Sequence, residues 1–85
     1  MITDDNLDST KFYRTSDLGC SAALVSVGFN LTTLDRTNPS RALFVFVVSA
    51  ELQASIAAYW EGQLKVDAKG YFESLRWLKS RLYNG

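Results

Sequence analysis

The clearest hydrophobic pattern lies near the end of the chain. Over residues 68–83, Tyr71, Leu75, Leu78 and Leu82 recur at helical spacing, which predicts a helix with one narrow buried stripe. Asp67 precedes that stripe as its cap. Upstream, residues 41–48 alternate strictly: Leu43, Val45 and Val47 face one way, Phe44, Phe46 and Val48 the other. Both sets are apolar, so this strand belongs at the centre of a sheet with cover on both faces. At an exposed edge it would template aggregation. Ser49 then caps a second helix, with Glu51 in its first turn, Leu52, Ile56 and Tyr59 as its stripe, and Gly62 as its stop.

The first half of the domain is less regular. Residues 11–15 read as a short strand with Phe12 and Tyr13 on opposite faces. Ser16 is the predicted N-cap of a helix reaching about Val27, with Asp17 in the first turn and Gly28 as the left-handed stop. Leu18, Ala22 and Val25 share one side of that helix, while Cys20, Leu24 and Val27 share another, so it should be covered twice. Residues 31–36 alternate as a half-buried strand, and residues 37–40 form a turn with Pro39 presetting its φ.

Residues 1–10 are polar, acidic and aperiodic, which predicts a flexible arm ahead of a single domain over residues 11–85. The expected order is β-α-β-β-α-α: an α+β fold with a small three-stranded sheet and three packed helices. If Phe44, Phe46 and Val48 found no cover within the chain, a second copy would have to close that face. A homodimer is therefore expected.

Several of these stretches together resemble a family of small uncharacterised bacterial and phage domains of the same element order. They are the run Thr15-Ser16-Asp17-Leu18, the Gly28-Phe29 helix stop, Phe44-Val45-Phe46, residues 60–67 followed by Tyr71 and Phe72, and the ending Lys79-Ser80-Arg81-Leu82-Tyr83-Asn84. The resemblance covers residues 12–84 and implies the architecture. It carries no activity, cofactor or site residue with it.

Composition narrows the chemistry. An apolar fraction of 47% with 21% charged residues suits a folded chain, not a disordered one. The single cysteine, Cys20, excludes an internal disulfide and sits among small apolar residues, as a buried inert thiol would. The start has neither a positive n-region nor an apolar h-region, and the longest apolar run, residues 42–48, is too short to span a bilayer. A cytoplasmic protein without membrane association is expected. The absence of histidine removes the commonest general base at neutral pH and most zinc sites. No glycine-rich phosphate loop is present. Asp4, Asn6 and Asp8 imitate the start of a calcium loop, but Ser9 and Thr15 stand where glycine and glutamate are needed. Asp67 and Glu73 are better explained by capping and solvation than by acid–base work. Asn30-Leu31-Thr32 is a chance glycosylation sequon. Neither catalysis nor a cofactor or metal is expected.

Charge then points to a surface. Net charge is zero, yet residues 1–10 hold three acids and no base, leaving nine bases against six acids in the rest. Residues 62–85 alone hold Lys65, Lys69, Arg76, Lys79 and Arg81 against Asp67 and Glu73. In the last helix, Lys69, Arg76 and Lys79 fall to one side of the apolar stripe. Trp77 and Arg81, four residues apart, fall well away from it and face each other. Trp60 reads as core, flanked by Tyr59 and Leu64. For Trp77 three readings stand: packing beneath the arm, a helix or a partner subunit; stacking on a nucleobase beside Arg81 and Lys79; or contact with an unknown protein surface. The expected function is a non-enzymatic accessory domain that binds nucleic acid through Trp77, Arg81, Lys79, Arg76 and Lys69. The alternative is a protein-interaction module, a phage-type inhibitor or scaffold, docking through the same face.

Overall fold

The computed structural model describes residues 11–84. The expected acidic arm, residues 1–10, lies outside the described residues, as does the calcium-loop imitation within it.

The described residues form β1 (Phe12–Thr15), α1 (Leu18–Ser26), β2 (Thr33–Asp35), β3 (Leu43–Val47), α2 (Ala50–Trp60) and α3 (Ala68–Asn84). This is the α+β order that the hydrophobic pattern predicts. The three strands make one antiparallel sheet in the order β1-β3-β2, so the doubly apolar strand is central. Val45 sits opposite Arg14 on one side and Thr33 on the other, while Phe44 sits opposite Thr15 and Leu34. Alternation therefore gives one face to Tyr13, Thr15, Phe44, Phe46 and Leu34 and the other to Phe12, Arg14, Val45, Val47, Thr33 and Asp35.

All three helices cover the first face. Phe44 and Phe46 are fully buried with Leu24 of α1, Leu52 of α2 and Leu78 of α3. The chain's own helices thus close this face, so the condition for a homodimer built on Phe44 and Phe46 is not met. The physical reason is α1. Cys20, Ser21, Ala22, Ala23 and Leu24 are all buried, with α3 on one flank and α2 on the other. A helix of such small residues lets both neighbours approach closely, which accounts for an apolar surface that runs around the helix.

Local signals set the element ends. The N-cap of α1 is Asp17, not Ser16: its Oδ1 accepts from Cys20 N at 2.7 Å. Ser16 is instead engaged from outside, its Oγ accepting from Arg41 Nη2 at 3.1 Å. Ser49 and Asp67 cap α2 and α3 as expected, accepting from Leu52 N and Gly70 N. Gly28 and Gly62 end α1 and α2 at φ of 112° and 75°. Both close Schellman turns, through Phe29 N to Leu24 O and Gln63 N to Ala58 O. The predicted strand over residues 31–36 shrinks to three residues, ending at Asp35, which still pairs with Leu43 while its Oδ1 accepts from Thr37 N as the chain turns away. Pro39 then occupies the second position of a turn closed by Arg41 N on Asn38 O.

Trp60 contradicts its core assignment. Tyr59 takes the packed position on α2, and the next residue turns outward, leaving Trp60 60% exposed with its ring edge-on to Tyr59.

Candidate functional site: the solvent side of α3

Helix α3 is the longest element and is anchored along one line. Leu78 is fully buried, and Tyr71, Leu75 and Leu82 pack against the same core. This leaves two flanks, and they differ in chemistry. Arg36, just beyond β2, fastens the far end by donating from Nη2 to the carbonyls of Arg81 and Leu82 at 3.0 and 2.8 Å. A guanidinium there also offsets the partial negative charge of the helix C-terminus.

The flank toward α1 carries Trp77 and Arg81, with the Arg81 guanidinium 5.3 Å from the Trp77 ring centre. Trp77 is 43% exposed, neither buried core nor free ring. It forms one wall of a shallow groove of about 300 Å³ together with Val25, Ser26, Gly70, Glu73 and Ser74. The groove holds a carboxylate and its neighbour Arg81 a single cation, so this flank has no net charge to offer a polyanion.

The remaining predicted residues lie elsewhere. Lys79 is two positions from Trp77, about 200° around the helix, so the two do not share a surface. Lys69, Arg76 and Lys79 fan out on the flank away from Trp77 and all are exposed. Between them stand two residues that the sequence reading does not place in the site: Phe72, 56% exposed, and Tyr83, 81% exposed. The Arg76 guanidinium lies 5.8 Å from the Phe72 ring centre. The spacing Lys69–Phe72–Arg76–Lys79–Tyr83 alternates three and four residues and keeps the set in one stripe. Tryptophan is the more conspicuous residue type, but the 3-4 spacing was the available signal.

Two other regions were candidates. The helix-free sheet face holds a concavity of about 430 Å³ lined by residues that include Phe12, Thr33 and Val45. It is crossed by an Arg14–Asp35 ion pair at 3.6 Å. Those two residues flank β3 from opposite sides, so the pair roofs Val45, which is buried, while Val47 remains 59% exposed. Hydrogen bonds from Thr37, with Arg14 nearby, hold the Asp35 carboxyl below its ordinary range. The second region is the start of α1, where Tyr13, Tyr59 and Cys20 cluster near Asp17. Burial raises all three above their ordinary values, and the Asp17 carboxylate adds to the effect. That keeps the Cys20 thiol protonated and poorly suited to nucleophilic work.

Among the described residues no group of three His, Cys, Asp or Glu side chains is placed to hold a metal ion. None of the described helices is long and apolar enough to cross a membrane. Asp67 is occupied with the start of α3, and Glu73 with the Trp77 groove.

Residues 10–84 match the model of a domain of unknown function, DUF5659. The chain belongs to that family. The match spans every element described above, so the sheet, the three helices and the α3 surface all lie within the family domain. No curated protein and no solved structure matches the chain.

Proposed function

We propose that this domain is a non-enzymatic accessory that binds nucleic acid through the basic and aromatic side of α3. The observation that carries the reading is the cluster of Lys69, Arg76 and Lys79 on one exposed flank, three cations against the single neighbouring acid Glu73. Opposed charges elsewhere bring the chain to neutrality, but a polyanion responds to the local surface, not to the sum. A bacterial or phage setting and a cytoplasmic site of action are part of the proposal.

The test is fluorescence anisotropy of labelled oligonucleotides titrated at several salt concentrations. Three phosphate contacts displace counterions, so the logarithm of the affinity should fall with the logarithm of salt at a slope of about −2 to −3. Absence of binding at low salt, or affinity indifferent to salt, overturns the proposal.

The protein-interaction reading, docking through the Trp77 side of α3, is supported by the half-exposed Trp77 and its groove, and a homodimer by the exposed Val47 on the helix-free sheet face. A homodimer would close that face, and not the one lined by Phe44 and Phe46. Sedimentation velocity decides it, a monomer at high micromolar concentration being the result that removes it.

A further inference from the structure

The two flanks of α3 offer a polyanion different things, and the difference specifies both the strand type and its path. We propose that the nucleic acid is single-stranded and runs along the stripe Lys69, Phe72, Arg76, Lys79 and Tyr83, with bases stacked on Phe72 and Tyr83. This rests on the nucleic-acid reading above and narrows it.

Three observations lead there. First, the stripe pairs three exposed cations with two exposed rings, and the one carboxylate at its border, Glu73, four residues from Lys69 and three from Arg76, leaves it a net positive charge. The Trp77 flank pairs one cation with one ring and places Glu73 in the same groove. Phosphates are attracted by the first arrangement and roughly balanced by the second. Second, Phe72 and Tyr83 are more exposed than Trp77, whose ring is partly used against α1. An exposed ring stacks on a base face, and base faces are available in single strands, whereas in a duplex they are already stacked on each other. Third, the far end of the stripe lies where the helix carbonyls would repel a phosphate, and Arg36 already binds two of those carbonyls.

The dimensions suit a strand. Phe72 and Tyr83 are about 16 Å apart along the axis at roughly 1.5 Å per residue. That distance covers about five nucleotides at a spacing of roughly 3.4 Å per phosphate, and fewer if the strand is extended. Arg76 and Lys79 lie between the two rings, where the linking phosphates would pass. Arg76 is already held near the Phe72 ring, so a base stacking there brings its own phosphate within reach.

The experiment is anisotropy of a short labelled oligothymidylate with the full chain and its variants, competed by unlabelled single-stranded and duplex DNA. Phe72→Ala and Tyr83→Ala should each weaken binding by about 5- to 150-fold, the range for one lost stacking partner. Arg76→Ala and Lys79→Ala should each flatten the salt slope by about 0.7. Single strands should compete far better than duplex. Both rings are largely outside the core, and a circular dichroism melt for each variant confirms that folding is intact. No binding of any oligonucleotide at low salt removes this proposal together with the nucleic-acid reading. Binding that falls more on Trp77→Ala than on Phe72→Ala or Tyr83→Ala overturns the stripe and leaves the nucleic-acid reading standing. Equal competition by duplex overturns the single-strand assignment in the same way.

Discussion

Gly19 offers a sharp test of the packing around α1. It is the second residue of the helix, and Gly→Ala there should by propensity alone stabilise by up to about 1 kcal/mol. The surroundings oppose this. A Cβ at Gly19 would lie 2.7 Å from the Tyr59 hydroxyl, 3.4 Å from the Tyr71 hydroxyl and 3.5 Å from Asp17 Oδ1. The first distance is well inside contact, and the Tyr59 ring cannot rotate its oxygen aside because the oxygen lies on the ring axis. The Tyr59 ring must tilt at χ1 within its packed site or one of the helices must shift, and overpacking of this kind costs about 1–3 kcal/mol. The net expectation for Gly19→Ala is a loss of about 1–2 kcal/mol, read as a melting temperature lower by roughly 4–16 °C in a domain of this size. The control follows from the same distances. With the Tyr59 oxygen removed, the nearest remaining atom is the Tyr71 hydroxyl at 3.4 Å, which is ordinary contact. In a Tyr59→Phe background, Gly19→Ala should therefore be neutral or stabilising, a coupling of about 1–3 kcal/mol in a double-mutant cycle. Urea unfolding followed by far-ultraviolet circular dichroism measures all four proteins. A stabilising Gly19→Ala in the parent, or the same loss in both backgrounds, would refute the reasoning.

Further expectations follow from burial and charge. Adjacent positions on α3 should separate cleanly: Leu78→Ala, at a fully buried site, should cost about 2–5 kcal/mol. Trp77→Ala, at a half-exposed one, should cost about 1–2 kcal/mol, and equal losses in urea unfolding would contradict the packing. Asp35 has its carboxyl pKa lowered by Thr37 and Arg14, so its contribution to stability is present above the ordinary carboxylate range and is lost as pH falls through the lowered folded value. Asp35→Asn should flatten the acid limb of a stability-versus-pH curve, and an unchanged limb refutes the assignment. Cys20 is fully buried with its thiol pKa raised, so the native protein should resist a thiol-specific aromatic disulfide reagent until it is unfolded. The same shift means that stability tied to the neutral thiol is complete below the ordinary thiol pKa and declines as pH rises through the folded value, a decline that Cys20→Ser should reduce.

Where sequence and structure agree, the deciding signal is local. The caps Ser49 and Asp67, the glycine stops at 28 and 62, the turn at Pro39 and the stripe of Leu75, Leu78 and Leu82 depend on neighbours within a few residues. Such features are fixed by dihedral preference and hydrogen-bond reach before any tertiary contact exists. The central place of β3 was also legible, because apolar residues on both faces exclude an edge. Other features were decided by packing between distant segments. Which face of β3 the helices cover depends on the register with Arg14 and Asp35, whose ion pair roofs Val45 and leaves Val47 in solvent. Ser16 and Asp17 are equally good caps in isolation, and Arg41, far along the chain, engages the first. Trp60 loses the core to Tyr59 because Tyr59 lies on the packed side of α2, and the next position, about 100° further round, faces solvent. The basic residues of α3 were readable one by one. Their grouping with Phe72 and Tyr83, apart from Trp77, became visible only when α1 had taken one flank of the helix and left the other to solvent.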